Sequence, residues 1–97
     1  MRVYFVMRVE ASTNIYDERC MDVFESYKDA EDFFDNCVEE YIISVAEDNN
    51  YSVKDIEEYR ESLDNSVPDD YLDACCDPEY NWCVYLGQAE YHKEGGE

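Results

Sequence analysis

Apolar and polar side chains alternate across residues 2–10, and this period of two residues predicts a β-strand. One side of the strand carries Val3, Phe5, Met7 and Val9, and the other carries Arg2, Tyr4, Val6 and Arg8. A second strand is predicted over about residues 16–24. The connection contains the turn-forming segment Ala11–Asn14 and is too short for a parallel crossover, so we expect an antiparallel hairpin.

After Ser26, which can act as a helix N-cap, the period changes to three and four residues. This period predicts an amphipathic helix that runs to about Glu47. Its apolar stripe consists of Ala30, Phe33, Phe34, Cys37, Val38, Tyr41, Ile42 and Val45. Ser52 can cap a second helix over residues 53–64.

The last third of the chain carries two weaker patterns. Pro68 is a favourable first-turn residue and predicts a third, short helix that ends near Cys76. Residues 80–91 alternate again and predict a final strand, in which Gly87 marks a bulge or an irregular edge. The predicted order of elements is therefore β-β-α-α-(α)-β.

The simplest architecture for this order is an α+β fold, a small three-stranded antiparallel sheet with two or three helices packed on one face. The length of 97 residues predicts a single domain over residues 1–97. The strand order stays open, although the last strand can pair with the first. The predicted parts are a β-hairpin over 2–24, an acidic helical block over 26–77, a final strand over 80–91 and a polar tail over 92–97.

The net negative charge of the chain limits the kinds of partner that it can bind. Twenty-six Asp or Glu residues against seven Lys or Arg residues give a net charge of −19. A field of this sign disfavours binding to nucleic acid or to an anionic membrane, and it suits a basic protein surface or a metal ion. Hydrophobic residues make up 45% of the chain and aromatic residues 15%, which excludes an acidic disordered chain. Adaptation to high salt is an alternative explanation of the charge.

Most of the charge lies in residues 25–80, which carry −16 with only Lys28, Lys54 and Arg60 as cations. The carboxylates there recur at three- and four-residue steps, which places them in rows on the predicted helices. We predict that the partner binds Asp32, Asp35, Glu39, Glu57, Glu58, Glu61, Asp64, Asp69, Asp70 and Asp73. Four helical residues span about 6 Å, close to the separation of consecutive phosphates on a nucleic-acid strand.

Rows of carboxylates on one helix face lower the stability of the helix. Like charges at four-residue spacing destabilise a helix by about 0.2–0.5 kcal/mol per pair, so a row with little basic relief favours a contact with a cationic groove over a merely solvated face. The third predicted helix carries its row at Asp69, Asp73 and Asp77. Tyr59 and Tyr71 are flanked by carboxylates, and we predict that they are aromatic contacts of the same partner.

No catalytic constellation stands out in the sequence. The single histidine, His92, lies in the predicted tail, and no Gly-rich phosphate loop is present. Cys75, Cys76 and Cys83 lack the C-x-x-C spacing of a zinc site, and five cysteines do not make a disulfide framework. We therefore predict no enzyme activity, cofactor or metal. Without a signal-peptide or membrane-spanning run, the expected location is the cytoplasm.

The net charge, the small size and the acidic rows of residues 29–79 make this chain similar to phage-encoded DNA-mimic inhibitors. That class includes anti-CRISPR proteins, anti-restriction proteins and the uracil-DNA glycosylase inhibitor. The resemblance implies a stoichiometric inhibitor that occupies the basic nucleic-acid-binding groove of an enzyme, with a Cas effector as the favoured target.

Three other functions stay open at this point. An immunity protein or antitoxin that neutralises a basic nuclease toxin would use the same acidic surface. A metal-binding or enzymatic domain would be built on the cluster of Cys75, Cys76 and Cys83. A structural or adaptor domain would have no inhibitory role. The sequence also leaves the oligomeric state open.

Overall fold

The computed structural model describes residues 1–11 and 17–90, and the predicted polar tail lies outside them. The fold is α+β, as predicted, with four strands rather than three in one antiparallel sheet of order β2-β1-β4-β3. The last strand pairs with the first. The elements are β1 (Arg2–Ala11), β2 (Asp17–Phe24), α1 (Tyr27–Asn49), α2 (Val53–Ser62), β3 (Tyr71–Asp77) and β4 (Trp82–Glu90).

Both helices begin at the serines that the sequence indicates. The Ser26 hydroxyl accepts a hydrogen bond from the Asp29 backbone N–H at 3.4 Å, which satisfies one of the unpaired donors of the first turn. Ser52 and Asp55 form a reciprocal capping box at the start of α2. Helix α1 ends at Asn50, whose φ of 54° is the left-handed conformation that asparagine tolerates.

The predicted third helix is wrong, because its segment forms β3. This strand pairs with β4 at every residue except Leu72 and places Cys75 on the same side of the sheet as the helices. Asp and Cys are weak helix formers, so a strand partner outweighs the local preference. The following turn is closed by the Asp77 carboxylate, which accepts the Glu79 backbone N–H at 3.0 Å. Residues 26–77 are therefore not wholly helical.

The core lies between the helices and one side of the sheet. The sheet contributes Val6, Val84 and Leu86, all fully buried, and α1 contributes Phe34 and Ile42. The side of β1 that holds Val6 also carries Arg8, whose guanidinium lies 5.8 Å from the centre of the Phe33 ring. The alternation predicted for residues 2–10 thus separates a helix-covered side from the opposite side of the sheet.

Gly87 allows an aromatic ring to lie across the sheet. It pairs with Phe5 on β1, and a Cβ atom at Gly87 would overlap the Phe5 ring. The expected irregularity is found on the neighbouring strand, where the β3–β4 register shifts between Tyr71 and Asp73.

A buried carboxylate joins three elements of the fold. Asp77, at the end of β3, is only 3% exposed and accepts hydrogen bonds from the hydroxyls of Tyr41 on α1, at 3.0 Å, and of Tyr59 on α2. The Tyr41 ring stacks on Trp82 of β4 with ring centres 3.9 Å apart. Burial raises the pKa of Tyr59 above its ordinary value, and the Asp77 hydrogen bond adds to this effect.

Replacing this carboxylate should destabilise the domain. Asp77→Ala leaves two tyrosine hydroxyls without their acceptor, so we expect the free energy of unfolding to fall by about 2–4 kcal/mol in urea denaturation. Asp70→Ala, at an exposed position beside the same strand, should change it by less than about 0.5 kcal/mol. Equal losses in the two variants would contradict the role of Asp77.

The cysteines differ in accessibility. Cys37 and Cys75 are buried, Cys76 and Cys83 are half-buried, and Cys20 is exposed. Burial raises the pKa of the Cys75 thiol to about 11 and also raises that of Cys37. Because the thiolate is the reactive form, both buried thiols should react slowly with alkylating reagents.

We expect iodoacetamide at mildly alkaline pH to modify Cys20 at least about tenfold faster than Cys37 or Cys75. Peptide mass spectrometry at timed intervals measures the order of modification, and the same reaction in denaturant provides the control in which all five sites are accessible. Modification of Cys75 at the rate of Cys20 would contradict the burial of β3 against the helices.

Candidate protein-binding surface

Carboxylates of α1 and β3 converge on one surface. We call Glu31, Asp32, Asp35 and Glu39 of α1, together with Asp73 of β3, the acidic surface. Asp73 lies on the helix-covered side of the sheet, where it pairs with the position of Leu86. Partial burial raises the pKa of Asp35 above its ordinary value, and the nearby charges of Glu31, Asp73, Asp32 and Glu39 raise it further. The fold therefore concentrates negative charge around Asp35.

Two cations relieve part of this charge. Arg60 of α2 donates two hydrogen bonds to Glu39, one of them at 3.0 Å, and this contact lowers the pKa of Glu39. Lys28 lies 3.4 Å from Asp32. Among the side chains of residues 1–10 and 20–90, no ion pair reaches Asp35 or Asp73. These two carboxylates remain available to a cation from outside the chain.

A cleft of about 450 Å³ opens beside these two carboxylates, between α1, β3 and the end of α2. Asp35, Asp73 and the Arg60–Glu39 pair stand among its lining residues. The remaining lining is mostly apolar: Phe34, Val38, Ile42, Leu63 and Cys75. An Arg or Lys side chain has the matching form, because its alkyl stem can lie on apolar surface while its charged head reaches a carboxylate.

An aromatic side chain borders the acidic surface. Tyr27, the first residue of α1, is exposed and contacts Tyr4 edge-on, with ring centres 5.5 Å apart. A hydrogen bond with Glu31 raises the pKa of Tyr27, and the charges of Asp73 and Asp35 add to this effect. The position of this residue could have been predicted from the sequence, since Tyr27, Glu31 and Asp35 follow at four-residue steps along one helix face.

The two tyrosines that the sequence predicts as partner contacts, Tyr59 and Tyr71, lie away from the acidic surface. Tyr59 is buried with its hydroxyl on Asp77, so its ring belongs to the core rather than to a contact surface. Tyr71 is half-buried and lies on the side of the sheet away from the helices, where its ring is 5.1 Å from that of Tyr85. Neither ring borders the acidic surface.

The other predicted acidic residues are dispersed. Glu57, Glu58 and Glu61 are exposed on α2. Asp64 forms an isolated bridge with Cys76, and its carboxylate accepts the Ser66 backbone N–H at 2.9 Å, which lowers the pKa of Asp64. Asp69 and Asp70 lie in the exposed turn before β3. The predicted helical row of Asp69, Asp73 and Asp77 does not exist, because Asp73 is on a strand and Asp77 is buried.

The described part of the chain shows neither a metal site nor a membrane-spanning helix. Among the side chains of residues 1–10 and 20–90, no group of three or more His, Cys, Asp or Glu residues has an arrangement that could hold a metal ion. In the same part of the chain, neither helix combines the length and the apolar character of a membrane span.

Comparisons of the chain with protein-family models, with curated proteins and with solved structures found no match.

Two carboxylates one helical turn apart should respond in opposite ways to neutralisation. Asp35→Asn removes repulsion from its neighbours, so we expect the free energy of unfolding at neutral pH to rise by about 0.5 kcal/mol. Glu39→Gln breaks the exposed pair with Arg60 and should lower it by about 0.5 kcal/mol. Urea denaturation measures both changes, and a loss of stability in Asp35→Asn would contradict the proposed crowding.

Ionisation of Asp35 makes the stability of the fold depend on pH. The pKa of Asp35 is raised in the folded protein, so folding favours its protonated form, and ionisation lowers stability as pH rises. The advantage of Asp35→Asn over the wild type should therefore be largest at neutral pH. It should shrink as pH falls through the raised pKa of Asp35.

Proposed function

We propose that the protein inhibits a nucleic-acid-processing enzyme by placing its acidic surface in the basic groove that normally holds nucleic acid. The favoured target is a Cas effector in the bacterial cytoplasm, which makes the protein an anti-CRISPR-like DNA mimic without catalytic activity, a cofactor or direct nucleic-acid binding. The observation that carries this proposal is the convergence of Asp35 and Asp73, 38 residues apart in sequence, on one surface where no described side chain forms an ion pair with either of them.

Electrostatics supports a cationic partner. The carboxylates around Asp35 repel one another in the free protein, and a Lys or Arg from a partner would relieve that repulsion. The opposite charges would also steer the encounter and increase its rate at low salt. A surface that only keeps the protein soluble would gain by interspersed cations, which the sequence largely omits from residues 25–80.

The shape of the surface supports insertion of a side chain. The apolar lining of the cleft offers a place for the stem of an Arg or Lys, and Asp35 and Asp73 offer acceptors for its head. Tyr27 adds an exposed ring at the edge, of the kind that contributes strongly to protein interfaces. Grooves that hold nucleic acid in Cas effectors are lined by such cationic side chains.

Charge reversal tests the surface directly. The Asp35→Lys, Asp73→Lys double variant should capture the target from a bacterial lysate containing a Cas effector at least about tenfold less well than the wild type, because it places cations against a cationic groove. Inhibition of DNA binding by the purified effector should fall in parallel. Quantitative mass spectrometry of the captured proteins and a DNA-binding assay provide the two measurements.

A matched control separates the local surface from total charge. Glu47→Lys, Asp48→Lys changes the net charge by the same amount at exposed positions near the other end of α1. This variant should retain most of the capture and inhibition. Equal losses in both double variants, or full activity in the Asp35 and Asp73 variant, would contradict the proposed site.

A further inference from the structure

The side of the sheet away from the helices has no covering element among the described residues. We call this side the open face, and its main side chains are Phe5, Met7, Met21, Val23, Tyr71 and Tyr85. The paired positions define two rows across the sheet. One row runs from Val23 through Phe5 and Gly87 to Tyr71, and the next runs from Met21 through Met7 and Tyr85 to Ala74.

The open face carries no charge among the described side chains. About a third of the whole sequence is charged, yet the positions on this side of the four strands are apolar, aromatic, Cys or Gly, apart from Arg19 and Asp17 at the start of β2. Met21 is 57% exposed and Val23 is 61% exposed. A solvated sheet face normally alternates polar residues outward, so this composition marks a surface that is covered in use.

Aromatic contacts hold the centre of the open face in a fixed shape. The Phe5 ring lies over Gly87, and its centre is 6.1 Å from that of Tyr71 in an edge-on contact. Tyr71 in turn contacts Tyr85 at 5.1 Å. Because these side chains are already ordered by one another, covering them costs less conformational entropy than ordering isolated exposed residues.

The low charge of the open face favours a second copy of this chain as the partner that covers it. A cationic partner gains little from a face on which the described side chains are uncharged, whereas two copies of a protein with a net charge of −19 can approach each other most closely where local charge is low. Facing sheets pack about 10 Å apart, and the acidic helices would then lie outside, separated by several Debye lengths at physiological salt.

The segments outside the described residues supply little apolar surface for this role. Residues 12–16 contain only Ile15 and Tyr16 as large apolar side chains, and residues 91–97 contain only Tyr91. Neither segment matches the extent of the open face, which spans all four strands.

We propose that two copies of the chain associate through the open face, sheet against sheet, with their helices outward. Four strands at about 4.8 Å and seven residues at about 3.3 Å give a face of roughly 450 Å² in projection. Two such faces bury somewhat less than the roughly 1,200 Å² of a standard stable interface, so the dimer should be reversible and of micromolar affinity. This inference goes beyond the proposed function and does not depend on it.

Sedimentation equilibrium of the full chain tests the proposal. Between about 5 and 500 µM, the average mass should rise from that of one chain towards that of two. Raising the salt concentration should strengthen the association, because it screens the repulsion between two acidic copies. Binding of the acidic surface to a basic partner should respond to salt in the opposite direction.

Two double variants locate the interface. Met21→Asp, Val23→Asp should weaken dimerisation at least about tenfold. The control Ile43→Asp, Val53→Asp adds the same charge at exposed apolar positions of the helices, 53% and 75% exposed, and should leave dimerisation within about twofold of the wild type. Met21→Gln, Val23→Thr keeps the charge and the strand propensity and should also weaken dimerisation, should the Asp variant not fold.

A measurement on the wild type complements the variants. In protein labelled at the methionine methyl groups, the Met7 and Met21 resonances should shift with concentration over the same range as the mass. A chain that stays monomeric at all these concentrations would overturn the proposal and leave the face to a foreign partner. A dimer that survives the Met21 and Val23 variants, or one lost equally in the helix control, would also overturn it.

Discussion

The Asp77 carboxylate accepts hydrogen bonds from Tyr41 of α1 and Tyr59 of α2 at the point where β3 ends. A buried carboxylate is costly unless it is fully hydrogen-bonded, so this contact holds both helices against one end of the sheet. It also sets the position of β3. Asp73, four residues before Asp77, lies on the same side of the strand and faces the carboxylates of α1. The acidic surface therefore depends on a contact in the core.

The resulting molecule has two unlike surfaces on opposite sides of one sheet. On the helix side, Asp35 is crowded by other carboxylates beside a cleft with an apolar lining. On the other side, Phe5 and Tyr71 belong to a face without charge among the described side chains. Salt weakens contacts between the acidic surface and a cationic partner. It strengthens association of two acidic copies through the open face, so the two surfaces suit different partners.

Much of the fold could be predicted from local patterns, because the helices and the first hairpin have clear periods and caps. The prediction of a third helix was wrong because the spacing of its acidic residues fits two kinds of structure. A spacing of four residues places side chains together on a helix, but it also places them on one side of a strand. Asp73 and Asp77 therefore looked like a helical row. Tyr59 was misplaced because flanking carboxylates do not reveal a buried acceptor such as Asp77, which comes from a distant part of the chain.

Competition by nucleic acid tests the central claim most directly. The target captured on the immobilised protein would be challenged with increasing amounts of the DNA or RNA that it normally binds. If the acidic surface occupies the nucleic-acid groove, the competitor should release the target in proportion to its own affinity at the same salt concentration, since salt weakens the binding of nucleic acid as well. A ternary complex, in which target, nucleic acid and this protein remain bound together, would contradict the account.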